Sequence, residues 1–197
     1  MNSPGADGAS IDVNVDAGES FGRWRVADEA GVFPYVSSVN LACGFHAGDP
    51  ANLLDSIGLA IEHGLGLGAH PGYPDLVGFG RRDMRLDDRE LLADVVYQLG
   101  ALTGLVRAAG AGTGGAGANG VDPAPKLRHV KAHGALYQRM MVDANTALTF
   151  ARAVSLFDAR LPIMVLAGAG GSIMRTAAAQ VGMTTVDEAF PDRGYLR

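Results

Sequence analysis

Asp16 and Glu19 stand three positions apart, at the end of and just past an alternating apolar–polar run, IDVNVD at 11–16. Carboxylates so placed can supply a general base or a metal ligand, although Asp-Ala-Gly-Glu is also ordinary turn chemistry. His46, His70 and His133 follow three different apolar runs, each in a segment containing glycine or proline. Imidazoles titrate near neutrality and ligate divalent metals. If the three meet on one face they are candidate acid–base groups, and Asp16, His46 and His70 are a candidate metal set. A histidine taken singly reads as a structural hydrogen-bonder, and no HExxH or HxH spacing occurs. Lys131 sits in an apolar context, where an ammonium needs a substrate oxygen or an ion-pair partner such as Asp16 or Asp49. Arg81 and Arg82, in GFGRRDM, can hold a carboxylate or phosphate in bidentate fashion, or decorate a loop. Cys43, three residues before His46, reads first as a small buried residue and second as a nucleophile. GAGGS at 168–172 opens a helix and offers backbone N–H groups to an anion, but it is not a phosphate loop because the lysine of GxxxxGK[ST] is missing. His63, before Gly64, reads as a partner of a helix C-terminus, and His129 as a strand residue without a role.

The elements that must position these groups alternate along the chain. Strands are expected at 11–16, 36–43, 65–70, 127–133, 162–168 and 184–190. Helices are expected from Asp49-Pro50 to Gly64, over 87–109, over 145–159 and over 172–181. In the second of these, Leu91, Val95, Leu99, Leu102 and Val106 form one stripe. Residues 1–10 read as a flexible lead-in to a single domain over 11–197, and the Gly/Pro-rich stretch at 109–125 as a flexible surface insertion. Six strand–loop–helix alternations predict a parallel α/β sheet, either open and doubly wound or a barrel needing further strands. The polar residues gather after four of the strands: Asn14/Asp16/Glu19, Asn40/His46/Asp49, His70/Asp75 and Lys131/His133. That is the active-site end of α/β folds. Asp16, His46, His70, Lys131 and His133 are thus the candidate catalytic groups. Asn14, Glu19, Asn40, Asp49, Asp75, Arg81 and Arg82 are candidate substrate-binding groups around them.

Composition narrows the classes. The 197 residues are 48% apolar, enough for a core, and carry a net charge of −5, which disfavours nucleic acid and anionic membranes as bulk partners. One cysteine allows no internal disulfide, and the N-terminus has no signal-peptide pattern, so a cytoplasmic protein is expected. Glycine, at 28 residues, is about twice its average share.

The runs IDVNVDAGESFG (11–22), SSVNLACGFHAGDP (37–50), GAHPGYPDLVGFGRRDM (68–84), YQLGAL (97–102) and VKAHGALY (130–137) resemble the LamB/YcsF family, the A subunits of bacterial 5-oxoprolinase. The resemblance runs from about residue 11 to 195. It implies an irregular (β/α) barrel similar to glycoside-hydrolase and polysaccharide-deacetylase folds. It also implies work with B and C subunits to open 5-oxo-L-proline to L-glutamate, coupled to ATP with Mg2+. On that resemblance the site needs a base for water (Asp16 or a histidine), a cation for oxyanion or phosphoryl charge (Lys131), and a holder for the substrate carboxylate (Arg81 or Arg82).

The sequence departs from the family pattern at several points. Val15 replaces the cysteine of Asn-Cys-Asp, and Ala132 replaces the proline of VKPHGALY. The glycine-rich insertion is extra. Family members continue past the FPDRGYLR segment into a strand bearing SxCxHGD, so a barrel short of C-terminal strands is expected, with low stability and activity for these residues alone. Two other readings stand beside this one: a metal-dependent amide or carbohydrate deacetylase with Asp16 and two histidines on the metal, and a non-catalytic docking subunit.

Overall fold

The strands are short runs, and the loops that follow β-strands one to five deliver the chain to helices that return it to the sheet. The computed structural model describes residues 11–112 and 125–191. The lead-in at 1–10, most of the insertion and the last residues lie outside them. The strands are β1 (Asn14–Ala17), β2 (Ser38–Ala42), β3 (Gly66–His70), β4 (Leu127–Val130), β5 (Ile163–Leu166) and β6 (Thr185–Glu188). The helices are α1 (Glu29–Val32), α2 (Pro50–Glu62), α3 (Asp88–Gly112), α4 (Gly134–Met140), α5 (Ala144–Asp158) and α6 (Ser172–Gln180). The expected strands and long helices are all present, each within a few residues of its expected bounds. The turn α1 and the helix α4 were not foreseen.

These six strands pair in parallel throughout, and their spatial order is β1-β2-β3-β4-β5-β6. A doubly wound sheet would place β1 internally, so the unreversed order selects the barrel-type winding. The sheet is curled. Laid flat, β1 and β6 would stand about 24 Å apart at the usual strand spacing. Instead, Lys131 Nζ reaches Asp16 Oδ1 of β1 at 3.1 Å and Glu188 Oε2 of β6 at 3.2 Å. The architecture among the described residues is a half-barrel.

Strand alternation divides the two faces. Val39, Leu41, Leu67, Ala69, Val130, Ile163 and Val165 point outward into one apolar core with the helices. In α3 the foreseen stripe from Leu91 to Val106 is fully packed into that core. This 25-residue helix is long and apolar enough to cross a membrane by length and composition, but here its stripe covers the sheet and its flanks meet α2 and α5. Helix starts are defined by side chains. Asp49 Oδ1 accepts from the N–H groups of Ala51 and Asn52, with Pro50 at the first helical position. Asp87 and Glu90 form a reciprocal capping box ahead of α3.

The concave face is polar. Asp16, Asn40, Gly68 and His129 form one register row across β1 to β4. The Asn40 amide is fully used in it: Nδ2 donates to Asn14 Oδ1 at 2.7 Å and Asp16 Oδ1 at 2.9 Å, and Oδ1 lies 2.7 Å from His129 Nε2. A carbonyl oxygen only accepts, so His129 carries its proton on Nε2. Gly68 makes this reach across β3 feasible, because a Cβ there would lie 1.9 Å from His129 Nε2. His129, read from sequence as lacking a role, ties the row together.

Candidate active site

The carboxyl ends of β1, β3 and β4 enclose a cavity of about 330 Å³. Asp16, His70, Arg81, Lys131 and His133 line it, with Tyr137, Met141, Leu166 and Phe190 as its less polar wall. Asp16 is half-buried, with 39% of its side chain exposed, which leaves it facing the cavity. Burial opposes its charge, but His70, Lys131 and Asn40 outweigh that and hold the carboxyl well below the usual range. Asp16 is therefore ionised at neutral pH.

Lys131 follows β4 and is buried, with its ammonium between Asp16 and Glu188 and 5.3 Å from the centre of the Phe190 ring. Of the two ion-pair partners expected from sequence, Asp16 is engaged and Asp49 is not. Glu188, buried on β6, was not anticipated. In TTVDEAF it is one acid of two, and only the alternation of β6 shows that Glu188 turns inward.

Beside the cavity the three histidines pack together. His46 and His133 stack with ring centres 3.7 Å apart and planes within 5°, and His70 stands edge-on to both. Glu19 Oε1 lies 3.2 Å from His46 Nε2 and 3.5 Å from His133 Nδ1. Burial, reinforced by neighbouring imidazoles, pushes His46 down to about 2 and His133 to about 3, so both are neutral. Burial raises the Glu19 carboxyl, with Asp16 adding to the rise against the histidines and Arg81. The metal set expected from sequence was Asp16, His46 and His70. The trio whose ligand atoms all lie within 4.8 Å of one another is instead Glu19, His46 and His133, among the described residues.

The loop after β3 and helix α3 hold this cluster. The Asp75 carboxylate accepts from the N–H groups of Gly78 and Arg82 and from the Arg82 guanidinium, which clamps the loop after β3. Phe79 takes φ +55°, the one non-glycine residue with positive φ among those described, and its carbonyl accepts from His133 at 2.8 Å. An aromatic residue there costs about 1–2 kcal/mol. Gly80, at φ +62°, passes so close that a Cβ would lie 2.7 Å from both His133 and His46. From behind, Gln98 of α3 bonds both backbone groups of Gly72. Its signal in the sequence was a lone amide among apolar helix positions.

The remaining expected residues fall elsewhere. Asn40 belongs to the internal row and Asn14 accepts from its amide, Asp49 caps α2 and also accepts from Gly22 N–H, and Asp75 and Arg82 hold each other. Arg81 lies at the cavity with its guanidinium over Phe79. Cys43 is buried, its thiol 3.5 Å from the Leu41 carbonyl, and burial pushes it up to about 12, far from an activated nucleophile. The 168–171 segment forms a 3₁₀ turn, and the carbonyls of Leu166 and Gly168 take the Arg175 guanidinium.

A curled parallel sheet with helices on its outer face and charged groups gathered at the carboxyl ends of its strands is an α/β half-barrel of enzyme-like construction. The LamB/YcsF family model matches residues 11–197, and the chain belongs to that family. It is 46% identical over 187 residues to the 5-oxoprolinase A subunit of Thermus thermophilus, covering 95% of this chain and 68% of that protein. It is 49% identical over 186 residues to the protein of the same name from Deinococcus radiodurans, covering 94% and 67%. The crystal structure of a lactam utilization protein, also from Thermus thermophilus, superposes with a TM-score of 0.85 at 46% identity, over 96% of this chain and 70% of that one. The chain thus spans about two thirds of the length of these relatives.

Proposed function

We propose that this chain acts as the A subunit of an ATP-dependent 5-oxoprolinase, opening 5-oxo-L-proline to L-glutamate together with B and C subunits. One observation carries the reading: an ionised carboxylate (Asp16), an ammonium (Lys131) and a guanidinium (Arg81) face one small cavity whose wall also offers the apolar side chains of Met141, Leu166 and Phe190. A cyclic amide acid needs those groups. Arg81 holds the substrate carboxylate, the apolar wall takes the ring methylenes, and Lys131 faces the amide oxygen.

A lactam resists attack because its nitrogen donates electrons into the carbonyl. Phosphoryl transfer from ATP, brought with Mg2+ to the complex, to the amide oxygen makes the ring carbon electrophilic. Water then adds to that carbon, with Asp16 orienting it and taking its proton. The C–N bond breaks, the nitrogen leaves as an amine after taking up a proton, and the resulting acyl phosphate is split by a second water into glutamate and phosphate. Lys131 offsets the negative charge that gathers on oxygen throughout. The names of the relatives support the reaction class, and the pairing of Asp16 with Lys131 supports the roles.

The test is glutamate release from 5-oxo-L-proline by co-purified subunits, with and without ATP and with and without this chain. Release that requires both is expected. Equal release when the chain is left out would remove the proposal.

A further inference from the structure

A cavity of about 290 Å³, distinct from the reaction cavity, lies between the loop after β3 and the first turns of α3 and α5. Helix α4 stands between the two: Tyr137 and Gln138 line the reaction cavity, Arg139 lines this one, and among the described residues none lines both. Its walls come from the segments after β3 and β4, not from the edges of the sheet.

Most polar groups around it are spent on one another. The Arg139 guanidinium donates to Asp143 at 2.8 and 3.1 Å and lies 3.5 Å from Asp83. Asp143 Oδ1 accepts from the N–H groups of Asn145 and Thr146. Asp88 Oδ1 accepts from Asn145 Nδ2 at 2.6 Å and from Thr149 Oγ1 at 3.1 Å. Three groups on the cavity are unspent among the described residues: the Arg85 guanidinium, the second carboxylate oxygen of Asp88, and the Tyr73 hydroxyl. Tyr73 is the informative one. It is 2% exposed with its ring in the apolar core, and a hydroxyl so placed is ordinarily hydrogen-bonded. Burial, with Asp83 and Asp143 adding to it against Arg139, pushes the phenol up, so it stays a donor.

A guanidinium, a phenol donor and a carboxylate oxygen thus share one cavity with the apolar side chains of Met84, Leu86 and Leu91. A simple anion would meet Asp88 and a simple cation Arg85, whereas a zwitterion satisfies both. We propose that this cavity binds a free α-amino acid with an apolar side chain. Arg85 and Tyr73 hold its carboxylate, Asp88 takes its ammonium, and its side chain lies on the apolar wall. This inference does not need the lactam reading, because it concerns other residues and its test reads binding.

Isothermal titration calorimetry of the full chain with L-leucine and L-methionine tests it. Isocaproate and isoamylamine serve as probes that lack the ammonium and the carboxylate respectively. One saturable site per chain is expected for at least one of the amino acids, with binding about 10-fold weaker or worse for either truncated probe. Arg85→Met and Tyr73→Phe should each weaken amino-acid binding by about 10-fold or more, the loss usual for a hydrogen bond to a charged group. Both variants should fold, because Arg85 is exposed and phenylalanine keeps the packing of the Tyr73 ring. Arg81→Met, in the reaction cavity, should bind as wild type does. Absence of saturable binding of both amino acids, or undiminished binding by Arg85→Met and Tyr73→Phe, would overturn the site. Loss of binding in Arg81→Met but not in Arg85→Met would overturn it too, by moving the amino acid to the reaction cavity.

Discussion

The Lys131 ammonium lies 3.1 Å from Asp16 Oδ1, joining the end of β4 to β1 across 115 positions of sequence and the curl of the sheet. The same ammonium meets Glu188 at 3.2 Å, so one side chain bridges two carboxylates from the opposite edges of the half-barrel. The charge that completes the fold is thereby also the charge offered to the cavity.

Lys131→Met separates the two roles. Glu188 would remain buried without a cation, which costs about 3–5 kcal/mol, and chemistry should fall by about 100-fold or more. Adding Glu188→Gln should return much of the stability and none of the activity. Urea denaturation and glutamate release by the assembled complex measure the two effects. Recovery of activity in the double variant would make the lysine purely structural.

Asp16→Asn tests the water-orienting carboxylate. The amide oxygen of the new side chain can still accept from Asn40 Nδ2, so the fold should survive. The rate should drop by about 100- to 10,000-fold, the span usual for loss of a positioned acid or base. Full ATP-coupled glutamate formation by this variant would favour a docking role instead.

Much of this was legible in the sequence because it is local. Glycine, proline and capping residues marked the ends of the strands and the start of α2, and several of the polar residues after the strands line the cavity. Strand order was not legible, since pairing depends on contacts between distant segments, and the periodic pattern fits an open sheet as well as a barrel. His129 and Glu188 were missed for a related reason: an inward-pointing polar residue in a strand looks like a solvent-facing one until the curl of the sheet is known. Helix α4 escaped because it starts at Gly134 directly after His133, without a side-chain cap.

Burial lowers the His129 imidazole to about 4, whereas its ordinary value is 6.5. Between those values the unfolded chain binds more protons than the folded one. The contribution of His129 is therefore intact above pH 6.5 and declines toward pH 4, by about 1.4 kcal/mol per pH unit. Stability curves for wild type and His129→Gln should differ in slope across that window. Parallel curves would mean that His129 is protonated in the folded protein.

Cys43 should be inert in the folded state. Its thiol, at about 12, is un-ionised at pH 8 and is buried. Ellman's reagent should find no thiol under native conditions and one per chain in guanidinium, and Cys43→Ala should leave glutamate release intact. Rapid native labelling, or loss of turnover in Cys43→Ala, would restore the nucleophile reading.

The central claim is that the cavity between Asp16, Lys131 and Arg81 holds the lactam. A crystal structure of the assembled complex with 5-oxo-L-proline tests it most directly. The account predicts the ring in that cavity, its carboxylate on Arg81 and its amide oxygen toward Lys131. Substrate seated only on a partner chain, with this cavity free of it, would contradict the account.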